Sequence, residues 1–255
     1  MAHPLEAFGG PPAPEGGIVC WSVPLDVTAD VLTTVVSWLD AAELARAERY
    51  HFEHHRRRFI ARRAARRRIL GSFLQVPPSQ VFFREVGTGK PELEAADPAR
   101  RPIHFSASHS EEVAVVAVSG SAPIGVDVEV HRLVESSLWE VRHLFSESER
   151  LALERVSERE RVRLFFDCWT RKEACVKADG AGLSIDLDSY EVPVGNLNGG
   201  VSVALEGVIP EQPRKEVRLI SLPLGDEISG ALAVVGNKEP CLEVRGWDWS
   251  EALRV

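Results

Sequence analysis

The sequence predicts an α/β (α+β) protein made of two similar halves. Three observations carry that prediction. The 255-residue chain matches itself without a gap at an offset of 106 residues, which lays Trp38–Glu48 over Leu144–Glu154. Both segments hold a capping-box pattern, Asp40 with Glu43 and Ser146 with Glu149. Upstream, the alternating stretch from Ile18 falls on the alternating stretch from Ile124, so strand, cap and helix all keep one spacing.

Taken in order, residues 1–17 form a Pro- and Gly-rich leader with no basic or apolar segment of a secretory signal, and are expected to be poorly ordered. Residues 18–121 form an N-terminal half. It runs from the Ile18 strand through the capping box to an arginine-rich helix, and then to "QVFF", which reads as a strand. A Gly-Lys-Pro turn follows at Gly89–Pro91. "FSASHS" (Phe105–Ser110) reads as a polar turn leading into the apolar strand Val113–Val118. Residues 122–255 form a C-terminal half that opens near Pro123 with "GVDVEV". Its long helix carries Phe165, Phe166 and Trp169 on one stripe and ends at Gly180, a residue type suited to the left-handed position after a helix. A ligand site is expected between the halves.

Composition narrows the function. Apolar and charged fractions of 44% and 27% are those of an ordinary soluble globular protein, and no run of eighteen apolar residues exists to span a membrane. A cytoplasmic protein is expected. Cys20, Cys168, Cys175 and Cys241 form no CxxC pair and read as free thiols; the histidines do not join them at zinc-ligand spacing. The net charge of −8 argues against a general nucleic-acid binder, yet Arg46–Arg68 holds ten arginines and three histidines. A local basic patch in an acidic protein suits a small anionic ligand.

Two anomalies point to chemistry. In "GVDVEV", residues two apart share a face, so Asp127 and Glu129 stand side by side opposite Val126, Val128 and Val130. Neighbouring carboxylates repel unless solvated or bridged by a cation. On the long helix, the apolar stripe runs from Trp169 onto Glu173 and then Lys177. An i,i+4 salt bridge would explain that pair but not its place on the apolar face. Three carboxylates with open positions would suit Mg²⁺ gripping a substrate phosphate, with Lys90 and the arginines supplying further charge.

The ordered set GKP (Gly89–Pro91), FSASHS (Phe105–Ser110), GVDVE (Gly125–Glu129) and WTRKEACVK (Trp169–Lys177) resembles the 4′-phosphopantetheinyl transferases. It resembles above all the large monomeric type serving polyketide, nonribosomal peptide and siderophore synthetases. The resemblance covers about Ile18 to Trp249. It implies two halves related by a pseudo-twofold axis, with coenzyme A in the cleft between them. It implies Mg²⁺, or Mn²⁺, held by Asp127, Glu129 and Glu173, and a serine of an apo acyl or peptidyl carrier protein attacking the phosphorus that bears pantetheine. Adenosine 3′,5′-bisphosphate leaves. Glu173 is then the base and Lys177 the partner of the leaving phosphate. Arg46, Arg58, Lys90, Pro91, Ser108, His109, Asp127, Lys172 and Lys177 would contact coenzyme A, with Arg62 and Arg63 as further candidates.

Two departures stand out: Ser106 replaces the usual Asn of the FSASHS turn, and Val128 removes a possible third acidic ligand from the strand. Leu133, Val134, Leu138 and Trp139 are a candidate apolar contact for the carrier. The rival readings are a metal-dependent phosphohydrolase acting on coenzyme A or a nucleotide, a nucleic-acid module on the arginine helix, and a coenzyme-A-binding subunit without activity.

Overall fold

The computed structural model describes residues 17–86, 90–94, 103–131, 142–180, 186–197, 199–205 and 215–254. The leader (1–16), Gly89 and the segment 132–141 with its candidate docking residues lie outside them, as do the side chains of Lys90 and Arg142.

The repeat is structural. Strand β1 (Ile18–Pro24) and strand β6 (Ile124–Val130) stand 106 residues apart and are both seven residues long. Helix α2 (Ala41–Ala47) and helix α4 (Glu147–Glu154) start at the same offset, each with a complete capping box. The 22-residue helices α3 (Glu53–Leu74) and α5 (Glu158–Asp179) follow them. A further capping box, Ser157 with Glu160, starts α5. Helix α1 (Ala29–Val35) precedes α2.

Each half has its own sheet. In the first, β1 pairs antiparallel with β5 (Val113–Ser119), which pairs antiparallel with β4 (His104–Ser110). In the second, β6 pairs antiparallel with β9 (Ile228–Val235), then β8 (Lys215–Ser221) and β7 (Val201–Leu205). A separate hairpin joins β2 (Phe83–Val86) to β3 (Lys90–Leu93).

The second half does not run to the C-terminus as the sequence reading has it. Strand β10 (Leu242–Gly246) returns to the first sheet and pairs parallel with β1, Ile18 opposite Leu242. Trp247, Trp249 and Ala252 then enter the first core, with helix α6 (Trp249–Ala252) closing it. Large apolar rings at the end of a chain are buried where a matching core exists, and here that core belongs to the first half.

Three apolar clusters result among the described residues. One lies between the first sheet and α3, and one between the second sheet and α5. The third lies between the sheets: Ile18, Cys20, Val115 and Ala117 meet Val126, Val128, Leu232 and Val234. Strands β4 and β6, the edge strands of their sheets, run beside each other. Serine hydroxyls bridge them: the Val126 N–H donates to Ser106 Oγ (3.0 Å) and the Val130 N–H to Ser110 Oγ (3.1 Å). FSASHS is therefore a strand and not the polar turn read from the sequence. Its alternate serines face β6, which satisfies donors that a turn would leave to water.

Candidate active site

Where β6 crosses α5, Gly125 lets the two backbones touch. A Cβ built there would lie 2.0 Å from the Ala174 carbonyl oxygen and 2.3 Å from the Ala178 nitrogen. The glycine thus brings the Glu173–Lys177 turn of α5 onto Asp127. Phe165 and Phe166 are buried and Trp169 is half-buried in the second core, which fixes the helix upstream. Gly180 ends it with φ +80°, its N–H donating to the Val176 carbonyl at 3.1 Å.

Asp127 is 4% exposed. Its Oδ1 accepts from Lys177 Nζ and from Ser108 Oγ, both at 2.6 Å, while its Oδ2 is buried without a hydrogen-bond partner. Lys177 also donates to Ser108 Oγ (3.1 Å) and the Val126 carbonyl (3.3 Å), so it pairs with the strand carboxylate rather than with Glu173. Glu129 Oε2 accepts from Ser110 Oγ at 2.6 Å. Glu173 is half-buried; burial raises its pKa, and Asp127 and Glu129 add to the rise against the opposing pull of Lys177. Glu173 therefore senses both carboxylates of the strand.

The donor set suits a divalent cation: hard carboxylate oxygens, one of them buried and unpartnered, around a glutamate whose charge is disfavoured without a counter-ion. The side chains are not yet gathered into one coordination sphere, since no group of three His, Cys, Asp or Glu among the described residues stands at metal-holding geometry.

Beside Glu129 opens a cavity of about 260 Å³, whose walls include Tyr50, Arg58, Phe59, Arg62 and His109. His109 faces into it. Loss of hydration, then the charges of Arg62, Lys177, Arg63 and Arg46, push its pKa from 6.5 down to about 4. A neutral imidazole among guanidinium groups marks a cavity of positive potential. Burial likewise lowers Arg62 to about 10.

The depressed His109 pKa has a sign. The folded state resists protonation that the unfolded chain accepts, so its contribution to stability is complete above pH 6.5 and is lost as pH falls toward about 4. His109→Gln is expected to flatten the fall in urea midpoint between pH 7 and pH 5. Because the ring is open to the cavity, added salt should shrink the difference. Identical pH slopes for the two proteins would contradict this.

The arginine helix divides in two. Arg66, Arg67 and Arg68 are buried. Arg67 pairs with Asp40 and with Glu43 Oε2 (2.6 Å) and donates to the Val81 carbonyl (2.7 Å); Arg66 pairs with Glu43 Oε1 (3.1 Å). Arg68 donates to the Ala252 carbonyl at 3.0 Å. These three hold the half together. Arg58 and Arg62 face the cavity, but Arg58 already grips Asp26 through two bonds of 2.7 and 2.9 Å. Arg46 is exposed near the Phe59 ring, 5.8 Å from its centroid, and Arg63 lies 3.6 Å from Glu43. Lys90 and Pro91 open β3, opposite Val86 and Glu85 in the hairpin.

Lys172 corrects the sequence reading. It is fully buried, 2.9 Å from Glu149 Oε2, and donates to the carbonyls of Leu187 (2.6 Å) and Tyr190 (2.8 Å). With all its protons engaged inside the second half, it has none for a phosphate. The repeat signals this: the offset that carries Glu43 to Glu149 carries Arg66 to Lys172, so a cation–carboxylate contact recurs at matching positions of the two halves. Lys172→Met is expected to cost about 3–5 kcal/mol, because Glu149 stays buried and unpaired. Its folded fraction should bind coenzyme A as the unaltered protein does. Urea unfolding and calorimetric titration check the two halves of that statement.

These features agree with the comparison of the chain with known proteins. Residues 26–121 match the family model "4′-phosphopantetheinyl transferase, N-terminal", and residues 123–217 match the "4′-phosphopantetheinyl transferase superfamily". The 4′-phosphopantetheinyl transferase HetI of Nostoc sp. is 37% identical over 172 residues, covering 68% of this chain and 72% of HetI. Sfp of Bacillus subtilis is 32% identical over 58% of this chain and 67% of its own. The gsp transferase of Aneurinibacillus migulanus is 34% identical over 49% of this chain and 48% of its own. The chain belongs to the 4′-phosphopantetheinyl transferases, and its two sheet-bearing halves are the architecture that both family models divide between them. No helix among the described residues is long and apolar enough to cross a membrane.

Proposed function

We propose that the protein moves the 4′-phosphopantetheine arm of coenzyme A onto a serine hydroxyl of an apo acyl or peptidyl carrier protein and releases adenosine 3′,5′-bisphosphate. The observation that carries the assignment of residues is the buried, unpartnered Asp127 Oδ2, with Glu129 next on the same strand face and Glu173 within electrostatic reach of both, beside a cavity lined by Arg58, Arg62 and His109. A cavity of that charge suits the nucleotide phosphates. Asp127, Glu129 and Glu173 would hold Mg²⁺, with Mn²⁺ as a substitute, and the ion when bound supplies positive charge to the pyrophosphate.

The chain's own groups do the rest. Glu173, whose pKa is raised by burial and by Asp127, would take the proton of the carrier serine. Lys177, anchored on Asp127 Oδ1 and Ser108 Oγ, presents a cation where the leaving phosphate gains charge. Neutral His109 serves as a hydrogen-bonding group and not as a charge. The enzyme works as a single chain in the cytoplasm.

The test is direct. The protein is mixed with coenzyme A, Mg²⁺ and apo carrier domains, and the carriers are weighed by mass spectrometry. A phosphopantetheine adduct is expected; none on several carrier classes refutes the reading. Glu173→Gln separates chemistry from folding. The raised pKa means the Glu173 contribution to stability is present below the usual 4.5 and lost as pH rises, so its charge is a burden at pH 7. The variant is therefore expected to lose transfer while melting, in metal-free buffer, no lower than the unaltered protein. Retained transfer would remove Glu173 from the role of base.

A further inference from the structure

We infer that Ser110 is a positioning residue for Glu129, and that it presets the metal-binding power of the β6 strand. The inference rests on the proposed metal role of Asp127, Glu129 and Glu173. Ser110 is buried, at 7% exposure. Its hydroxyl is fixed from both sides: it accepts from the Val130 N–H (3.1 Å) and donates to Glu129 Oε2 (2.6 Å). With the acceptor side taken by the backbone, its one proton is directed at the carboxylate.

The three serines of β4 are not equivalent. Ser106 binds only the backbone of β6 at Val126. Ser108 bonds Asp127, a carboxylate that Lys177 also holds. Ser110 takes the backbone grip of the first and the carboxylate grip of the second and combines them on Glu129. Glu129 is a long side chain at the half-buried end of its strand, opposite Ser229 in the sheet register. Holding one of its oxygens removes rotamer freedom that a cation would otherwise have to remove on binding. Hydrogen bonds to ligating carboxylates typically change metal affinity about 10- to 100-fold.

The seam contains its own control. Ser106→Ala loses a hydroxyl bond between β4 and β6 without touching a carboxylate, whereas Ser110→Ala loses the same kind of bond together with the hold on Glu129. Mn²⁺ is titrated into each protein saturated with coenzyme A, and free Mn²⁺ is read by its paramagnetic resonance signal. Ser110→Ala is expected to weaken Mn²⁺ binding about 10-fold or more, with Ser106→Ala within about twofold of the unaltered protein by the same comparison. Ser110→Cys keeps the side-chain volume and offers only a weak donor, so it should shift in the same direction if the alanine variant does not fold. Transfer at saturating Mn²⁺ should largely recover in the Ser110 variants. Unchanged Mn²⁺ affinity in a folded Ser110 variant, or equal losses in Ser106→Ala and Ser110→Ala, would overturn the inference. If the unaltered protein neither binds Mn²⁺ with coenzyme A nor modifies a carrier, it is the proposed function that fails.

Discussion

Asp127→Ala is expected to abolish phosphopantetheine transfer, by about a thousandfold or more, while the protein stays folded. Asp127 is the convergence point of the site. It anchors Lys177 and Ser108 on one oxygen and leaves the other buried without a partner. Removing it takes away the most enclosed candidate ligand and frees the ammonium that the leaving phosphate would meet. Folding should survive, since the apolar face of β6 packs in the cluster between the sheets and α5 packs in the second core, and Asp127 belongs to neither. The variant does leave Lys177 without its ion pair, so a modest fall in melting temperature is expected beside the large kinetic loss. Carrier mass spectrometry and circular dichroism check the two parts. Transfer within tenfold of the unaltered rate would exclude Asp127 from the metal site.

Gly125→Ala is expected to damage both stability and activity. The added methyl would stand 2.0 Å from the Ala174 oxygen and 2.3 Å from the Ala178 nitrogen, both backbone atoms of α5. A flexible side chain could swing aside, but a helix backbone can only be displaced as a body. Overpacking of this kind costs about 1–3 kcal/mol and sometimes more. Three backbone contacts under 3 Å, the third at 2.8 Å from the Lys177 carbonyl carbon, place this position at the upper end. The displaced segment carries Glu173 and Lys177, so the Lys177–Asp127 contact should open as well. A fall in urea midpoint together with a fall in transfer at saturating coenzyme A is the expected pair. Wild-type stability would mean that α5 is not pinned where the structure places it.

The two variants also separate what kinds of information the chain carries. Asp127, Glu129, Glu173 and Lys177 stand out as candidates in the local pattern, as carboxylates sharing a strand face and charges on an apolar helix stripe, and the family resemblance gives them roles. Lys172 is not legible that way. It sits in the same motif as Glu173, one residue away, and the 100° step between consecutive helical residues turns it to the interior, where Glu149 waits. Only the repeat, through Glu43 and Arg66, hints at that pairing. The arginine run misleads for the same reason: Arg66, Arg67 and Arg68 look like a basic surface in sequence, yet Asp40, Glu43 and the Ala252 carbonyl absorb them.

By itself, then, the sequence determined the duplicated strand–cap–helix plan, the capping boxes, the carboxylate strand and the motif set of the family. These are local matters, governed by the two-residue period of strands, the 3.6-residue period of helices and the hydrogen-bond needs of helix ends. The tertiary structure decided which partner each charge meets. It made FSASHS a strand, because the free donors of β6 required acceptors alongside. It brought β10 back to β1 across more than two hundred residues, because the terminal tryptophans found their core in the first half. It put Lys177 on Asp127 and not on Glu173, because the absence of a side chain at Gly125 let helix and strand approach within contact. Pairings between groups distant in the chain depend on close approach in space, and no local pattern records that.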